Sequence, residues 1–131
     1  MIVLDSSIAL SWLFEDENDD IGRASAQRTL HEGALVPPIF PAELANGLLS
    51  AHRRGRIPRD GISGSLDRFR LLPIRIDSRG YDLSAEIDLA ERHKLTAYDA
   101  MYLALAKRHR VALLTRDAEL LRAAAKERLP R

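Results

Sequence analysis

The chain contains no cysteine. That absence excludes disulfides, thiolate zinc sites and a cysteine nucleophile, and it is compatible with a cytoplasmic setting. There is no long apolar run, so no membrane span is expected. There is also no basic start followed by an apolar stretch and a cleavage site, so no secretory signal is expected. Net charge is nearly absent. The 20 Lys and Arg against 19 Asp and Glu leave a formal +1, which does not announce a nucleic-acid binder. Arginine outnumbers lysine, a bias that suits phosphate recognition but follows equally from codon usage. The four histidines are scattered without zinc-motif spacing. Repeats and linkers are lacking too, so one domain is expected over residues 1–131. What remains is 46% hydrophobic and 30% charged, ordinary for a globular chain, and 131 residues suffice for one core.

The chain is organised around its first residues, Ile2-Val3-Leu4-Asp5-Ser6-Ser7. A short all-apolar run reads as a strand buried on both faces, as in a parallel sheet. Ligand crevices of open α/β sheets lie beyond the carboxyl ends of the strands, which is where Asp5 falls. The plainer alternative is that Asp5 or Ser6 caps the next helix.

Helix and strand signals then alternate. Ile8, Ala9, Trp12 and Leu13 share one helical face. Glu15, Asp16, Glu17, Asp19 and Asp20 form an acidic stretch around Asn18, read as a solvated loop. Ala24, Ala26 and Leu30 suggest a second helix closed by Gly33. Leu35-Val36 is a strand ended by Pro37-Pro38. Pro41-Ala42-Glu43 opens a third helix whose buried side is Leu44, Leu48 and Leu49. Asn46 shares the face of Glu43, and Gly47 leaves that face open. His52, Arg53, Arg54, Arg56 and Arg59 make a basic cluster at its end. A helix over 58–69 carries Ile62, Leu66 and Phe69, and the third strand spans 71–76. Leu83, Ile87 and Ala90 mark a helix ending near His93. Tyr98, Met101, Tyr102 and Leu105 give the spacing of a core-facing helix, the fourth strand spans 111–115, and Leu120, Leu121 and Ala124 lie on a last helix. This alternation predicts an α/β fold with a parallel sheet.

Three further acids stand like Asp5 at helix starts: Glu43, Asp99 and Asp117. Each has a structural use. Asp99 follows Thr96 at capping-box spacing, Asp117 can be an N-cap, and Glu43 can face the helix dipole. In a parallel sheet, however, all four helix starts lie on one edge, so the carboxylates can converge. Two unit charges 4 Å apart repel by about 4 kcal/mol at an effective dielectric near 20, a large cost against a total stability of about 5–15 kcal/mol. Protons or a divalent cation must relieve it, and an all-oxygen site favours Mg²⁺ or Mn²⁺. Such a site can drive phosphodiester displacement. Another α/β phosphoryl-transfer enzyme would want a second acid where Ser7 stands, or a late lysine. A non-catalytic RNA- or protein-binding module would not need the intact acidic set.

In these blocks the sequence resembles PIN-domain ribonucleases, specifically VapC-type toxins of toxin–antitoxin pairs. The matching segments are Ile2 to Ser7, Pro41 to Asn46, Leu95 to Ala106 and Leu114 to Asp117, in the family's order. The resemblance implies a three-layer fold with a central parallel sheet of four or five short strands and helices on both faces. It implies an endoribonuclease using Mg²⁺ or Mn²⁺, with Asp5, Glu43, Asp99 and Asp117 as the acidic quartet. Asp5, Asp99 and Asp117 would hold the metal directly, and Glu43 would act through water. Ser7, Asn46 and Thr115 match orienting positions, and Arg53, Arg54, Arg56 and Arg116 are candidates for the RNA backbone. A small VapB-type antitoxin, inserting a basic side chain among the acids, and a homodimer using Trp12, Leu13 and Phe14 are the partners expected.

Overall fold

A computed structural model describes residues 1–14 and 19–131. The acidic stretch read as a solvated loop lies outside the described residues from Glu15 to Asn18. The chain begins with β1 (Ile2–Leu4), every residue of which is fully buried. Its neighbours are β2 (Ala34–Val36) and β4 (Leu113–Leu114), and β3 (Ile74–Ile76) lies beyond β2. All pairings are parallel, in the order β3-β2-β1-β4, with Ile2 opposite Ala34, Val3 opposite Leu113 and Ala34 opposite Ile74. The chain thus moves outward from β1 through β2 to β3, then returns to the other side of β1. That reversal makes the β1/β4 boundary the topological switch point, where an open α/β sheet forms its crevice.

Between the strands run α1 (Ser6–Ser11), α2 (Asp20–Glu32), α3 (Phe40–Arg53), α4 (Arg59–Arg70), α5 (Leu83–His93) and α6 (Ala97–His109), and α7 (Ala118–Lys126) follows β4. Right-handed crossovers put α1 to α4 on one face and α5 and α6 on the other. The packing agrees: α1 contacts α2 and α3, α3 contacts α4, α6 contacts α5, α7 and β1. The expected three-layer parallel α/β architecture is therefore found, with four strands. Gly33 closes α2 at φ 73°, a conformation open to glycine.

Several expected faces are corrected. On α2, Ala24 and Leu30 face outward, and the buried residues are Gly22, Ser25 and Thr29. This helix meets its neighbours through small side chains whose hydroxyls are satisfied locally, Thr29 donating to the Ser25 carbonyl at 2.9 Å. Tyr98 is exposed at the start of α6, and Leu49, Leu83, Ile87 and Leu121 are exposed as well. From Tyr102 to Ala106 every residue of α6 is buried, so this helix is covered nearly all round and a single-face pattern misplaces its core side. The third and fourth strands are shorter than expected, because Leu71 ends α4 and Pro73 has no N–H to give a ladder. Gly47 does not leave an open face: a Cβ there would lie 2.3 Å from Leu10 Cδ1, so α1 packs into the notch and brings Ser6 toward Glu43. Trp12 stacks on Phe69 with centroids 6.4 Å apart and donates to Ser25 Oγ at 2.9 Å, Leu13 packs on the core, and Arg56 lies 3.8 Å over the Phe14 ring. All three residues are half-buried, so the Trp12 to Phe14 segment is partly used inside the chain.

Candidate active site

Asp5 leaves β1 in extended conformation at the N-cap position of α1, yet its side chain makes no cap. Its buried carboxylate is spent across the sheet. Oδ2 accepts from Ser7 Oγ at 2.7 Å and from Thr115 Oγ1 at 2.6 Å. Both hydroxyls act as relays. Thr115 Oγ1 also accepts the Asp117 N–H at 3.0 Å, and Ser7 Oγ accepts the Arg116 N–H at 3.3 Å. The backbone N–H of Asp5 donates to the Leu114 carbonyl at 2.9 Å, so the acid is wedged where β1 and β4 part. The capping explanation fails for Asp5, because a carboxylate serving a helix start would not be turned to a threonine 110 residues away.

Asp99 and Asp117 combine two uses. Thr96 caps α6 by accepting the Asp99 N–H at 3.1 Å, leaving the Asp99 carboxylate free of that task. Asp117 does cap α7, Oδ1 accepting from Leu120 N at 3.0 Å. Glu43, half-buried in the first turn of α3, accepts from the Tyr102 hydroxyl at 2.5 Å. Burial, and then the neighbouring Asp5 charge, raise its carboxyl above the usual range against that hydrogen bond. Asp99 is pushed up to about 6, first by burial and then by Asp5, Asp117 and Glu43. The four acids thus share one electrostatic neighbourhood although they come from four distant segments. They are not a ready-made cage: among the described residues no three acidic or histidine side chains are gathered closely enough to hold an ion.

The remaining residues expected at the site divide. Asn46 is exposed one turn along α3 from Glu43. Arg53 and Arg54 are exposed at the opposite end of α3, about 15 Å from Glu43 at 1.5 Å per residue. Arg116 is engaged, donating from Nη1 to Asp19 Oδ1 at 3.0 Å and from Nη2 to Oδ2 at 2.6 Å. That fork holds the Asp19 carboxyl far below the carboxylate range and ties the β4–α7 turn to the start of α2. Two neighbours of Glu43 are read in the sequence only as structural, Tyr102 as core and Ser6 as a possible cap: Tyr102 bonds to Glu43 and Ser6 stands beside it. The signal for Tyr102 was available: it follows Asp99 by one turn and stands among small apolar residues, where a phenol needs a partner.

Thr115 carries the junction, which gives a first prediction. Thr115→Val keeps the shape but removes a donor to Asp5 and an acceptor for Asp117. It is expected to cost about 1–3 kcal/mol, whereas Thr115→Ser retains most of the stability. Thermal melts of the two variants beside the parent measure this, and an unchanged Thr115→Val melt would contradict the relay.

Comparison with known proteins agrees with this architecture. The PIN domain family matches residues 2–126. Ribonuclease VapC3 of Pyrobaculum aerophilum is 33% identical over 125 residues, covering 92% of this chain and 91% of that protein. VapC ribonuclease Mb0985 of Mycobacterium bovis and Ribonuclease VapC9 of Mycobacterium tuberculosis are each 35% identical over 122 residues, covering 92% of this chain and 88% of each protein. With the fold, the edge-clustered acids and these relatives in agreement, the chain belongs to the PIN-domain family, among its VapC-type members.

Proposed function

We propose that this protein is a metal-dependent endoribonuclease, the toxin of a VapBC-type pair. What supports the reading most is that Asp5, Glu43, Asp99 and Asp117 each stand at a helix start, with Asp5 buried where β1 and β4 part and tied through Thr115 to the turn that carries Asp117. The relatives' names as ribonucleases support the substrate. The donor set is all oxygen and its accumulated negative charge calls for a cation, which fits Mg²⁺ or Mn²⁺. Asp5, Asp99 and Asp117 would hold it. When bound, such an ion supplies positive charge to the scissile phosphate and the leaving 3′ oxygen and acidifies water. The protein's part is orientation. Ser7 and Thr115 fix the Asp5 carboxylate, and Glu43 orients the attacking water. No side chain acts as a covalent nucleophile: Ser7 donates to Asp5, while His52 bonds the Ile57 carbonyl and His93 bonds Glu127. Asn46 lies on the approach along α3, and the exposed Arg53 and Arg54, with Arg56, offer positive charge to RNA farther along it.

The test is cleavage of RNA by the purified protein. Cutting is expected with Mg²⁺ or Mn²⁺ and none with a chelator. A binding module would leave RNA intact in both, and a different phosphoryl-transfer enzyme would not cut RNA.

The partner follows from the same charges. A groove of about 470 Å³ runs between α2 and α7 beside β4, lined by Ile8, Ile21, Leu113, Leu114 and Leu121 and bordered by Thr115 and Arg116. An antitoxin would lay an apolar helix face on such a surface and put an Arg or Lys among the acids, displacing the metal. Co-expression with the small neighbouring open reading frame is expected to yield a complex that Mg²⁺ weakens. Changing the inhibitor's basic residues to alanine should weaken it at least about 100-fold, the scale of losing a buried charge pair. Equal binding by the alanine variant would rule out the charge plug. A homodimer belongs to the same reading, with the half-exposed Trp12, Leu13 and Phe14 as its expected surface. Among the described residues no helix is long and apolar enough to cross a membrane.

A further inference from the structure

The Tyr102 side chain is fully buried, and a phenylalanine would fill the same volume without burying a hydroxyl. The hydroxyl has one task in view. It donates to Glu43 Oε1 at 2.5 Å, a short bond to a carboxylate. Tyr102 lies on α6, one turn after Asp99, so the two side chains share a helix face. Glu43 lies on α3 in the other helix layer. α3 packs on α1 and α4, whereas α6 packs on α5, α7 and β1. Ser6, buried at the start of α1, stands beside both Glu43 and Tyr102.

We propose that Tyr102 is a positioning residue, its hydroxyl fixing the Glu43 carboxylate and tying α3 to α6 across the sheet edge so that Glu43 and Asp99 keep one spacing. The proposal rests on the ribonuclease reading for the reaction but not for the tie itself. Glutamate has three side-chain torsions, and holding it against solvent costs rotamer freedom. A buried aromatic ring with two torsions makes a rigid anchor. Without the hydroxyl, Glu43 loses the bond that fixes its carboxylate, and small displacements of an orienting group are expensive. A shift of about 1 Å can cost about 100-fold in rate.

The test is Tyr102→Phe, read in two ways. In the metal-free parent, the Tyr102 hydroxyl proton should be seen by NMR, protected from exchange, and should be lost or strongly shifted in Glu43→Ala. In single- and multiple-turnover cleavage, with the parent as control for the ribonuclease reading, Tyr102→Phe should lower kcat at least tenfold and leave KM within twofold, well below its melting temperature. A residue that only supported the fold would lower the melting temperature and leave kcat alone. A hydroxyl proton indifferent to Glu43→Ala, or a Tyr102→Phe kcat within twofold of an active parent, would overturn the proposal.

Discussion

Asp99→Asn is expected to remove RNA cleavage and, at the same time, to make the metal-free protein more heat-stable. The two effects have one cause. Asparagine keeps the shape of the side chain and discards a charge that a cation needs and the neighbouring acids resist. The Asp99 carboxyl is raised from its ordinary 3.8 to about 6, by burial first and then by Asp5, Asp117 and Glu43. Below pH 3.8 the group is protonated in both folded and unfolded chains, and it contributes no penalty. As pH rises the unfolded chain ionises first, so folding loses stability until the penalty is complete above about pH 6. Solvent screening leaves about 1 kcal/mol of this at pH 7. For a domain of this size that raises the melting midpoint by about 3–5 °C. Cleavage should fall on the order of 10³-fold, the scale of losing one preorganised electrostatic group. Asp5→Asn should match it in activity, with its amide oxygen still able to accept from Ser7 and Thr115. Melts at pH 4 and pH 7 without metal, paired with cleavage rates, check both halves. Cleavage at the parent rate by either variant would remove that acid from the site.

The largest effect on stability is expected far from the acids, at Glu127. Its carboxylate collects Arg92 Nη1 at 2.7 Å and His93 Nε2 at 2.7 Å on Oε1, and Lys107 Nζ at 2.9 Å on Oε2. The residue caps the C-terminal end of α7, so one side chain joins α5, α6 and α7. His93, then burial in opposition, then Lys107 and Arg92 set its carboxyl, which ends near 2 against an ordinary 4.5. Glu127→Gln should cost about 2 kcal/mol, as expected for hydrogen bonds to a charged group, and lower the melting midpoint by about 7 °C. The sign with pH is fixed by the lowered value. The stabilisation is fully present above pH 4.5 and is lost as pH falls toward 2. The gap between parent and variant should therefore be open at pH 7 and narrow between pH 4.5 and 3. A gap that does not change with pH would assign the effect to packing instead of charge. Cleavage at 25 °C should be unaffected.

The parts of this site that were legible in the sequence are those written in adjacent residues. A short apolar run followed by Asp5 gives a strand and its carboxyl end, and Thr96 three residues before Asp99 gives a cap. The order of the four acids was readable for the same reason, since each marks the start of a helix on one sheet edge. Pairings between remote segments were not readable. Tyr102 meets Glu43 across 59 residues of sequence, and Arg116 meets Asp19 across 97. The second pairing gives Arg116, an expected RNA contact, an internal partner as well. Burial was misjudged where packing departs from simple amphipathic periodicity. The Ser25 and Thr29 side of α2 packs inward through small hydroxyl residues, and α6 is covered on almost all sides, which places Tyr98 outside and Tyr102 within.

Calorimetric titration with Mn²⁺ measures, without reference to any substrate, the single cation site that we propose for four acids from four separate segments. The parent should bind Mn²⁺ at pH 7, and Asp99→Asn should bind at least about tenfold more weakly, the equivalent of 1.4 kcal/mol. Equal Mn²⁺ affinity in parent and variant, or no binding by the parent, would contradict it.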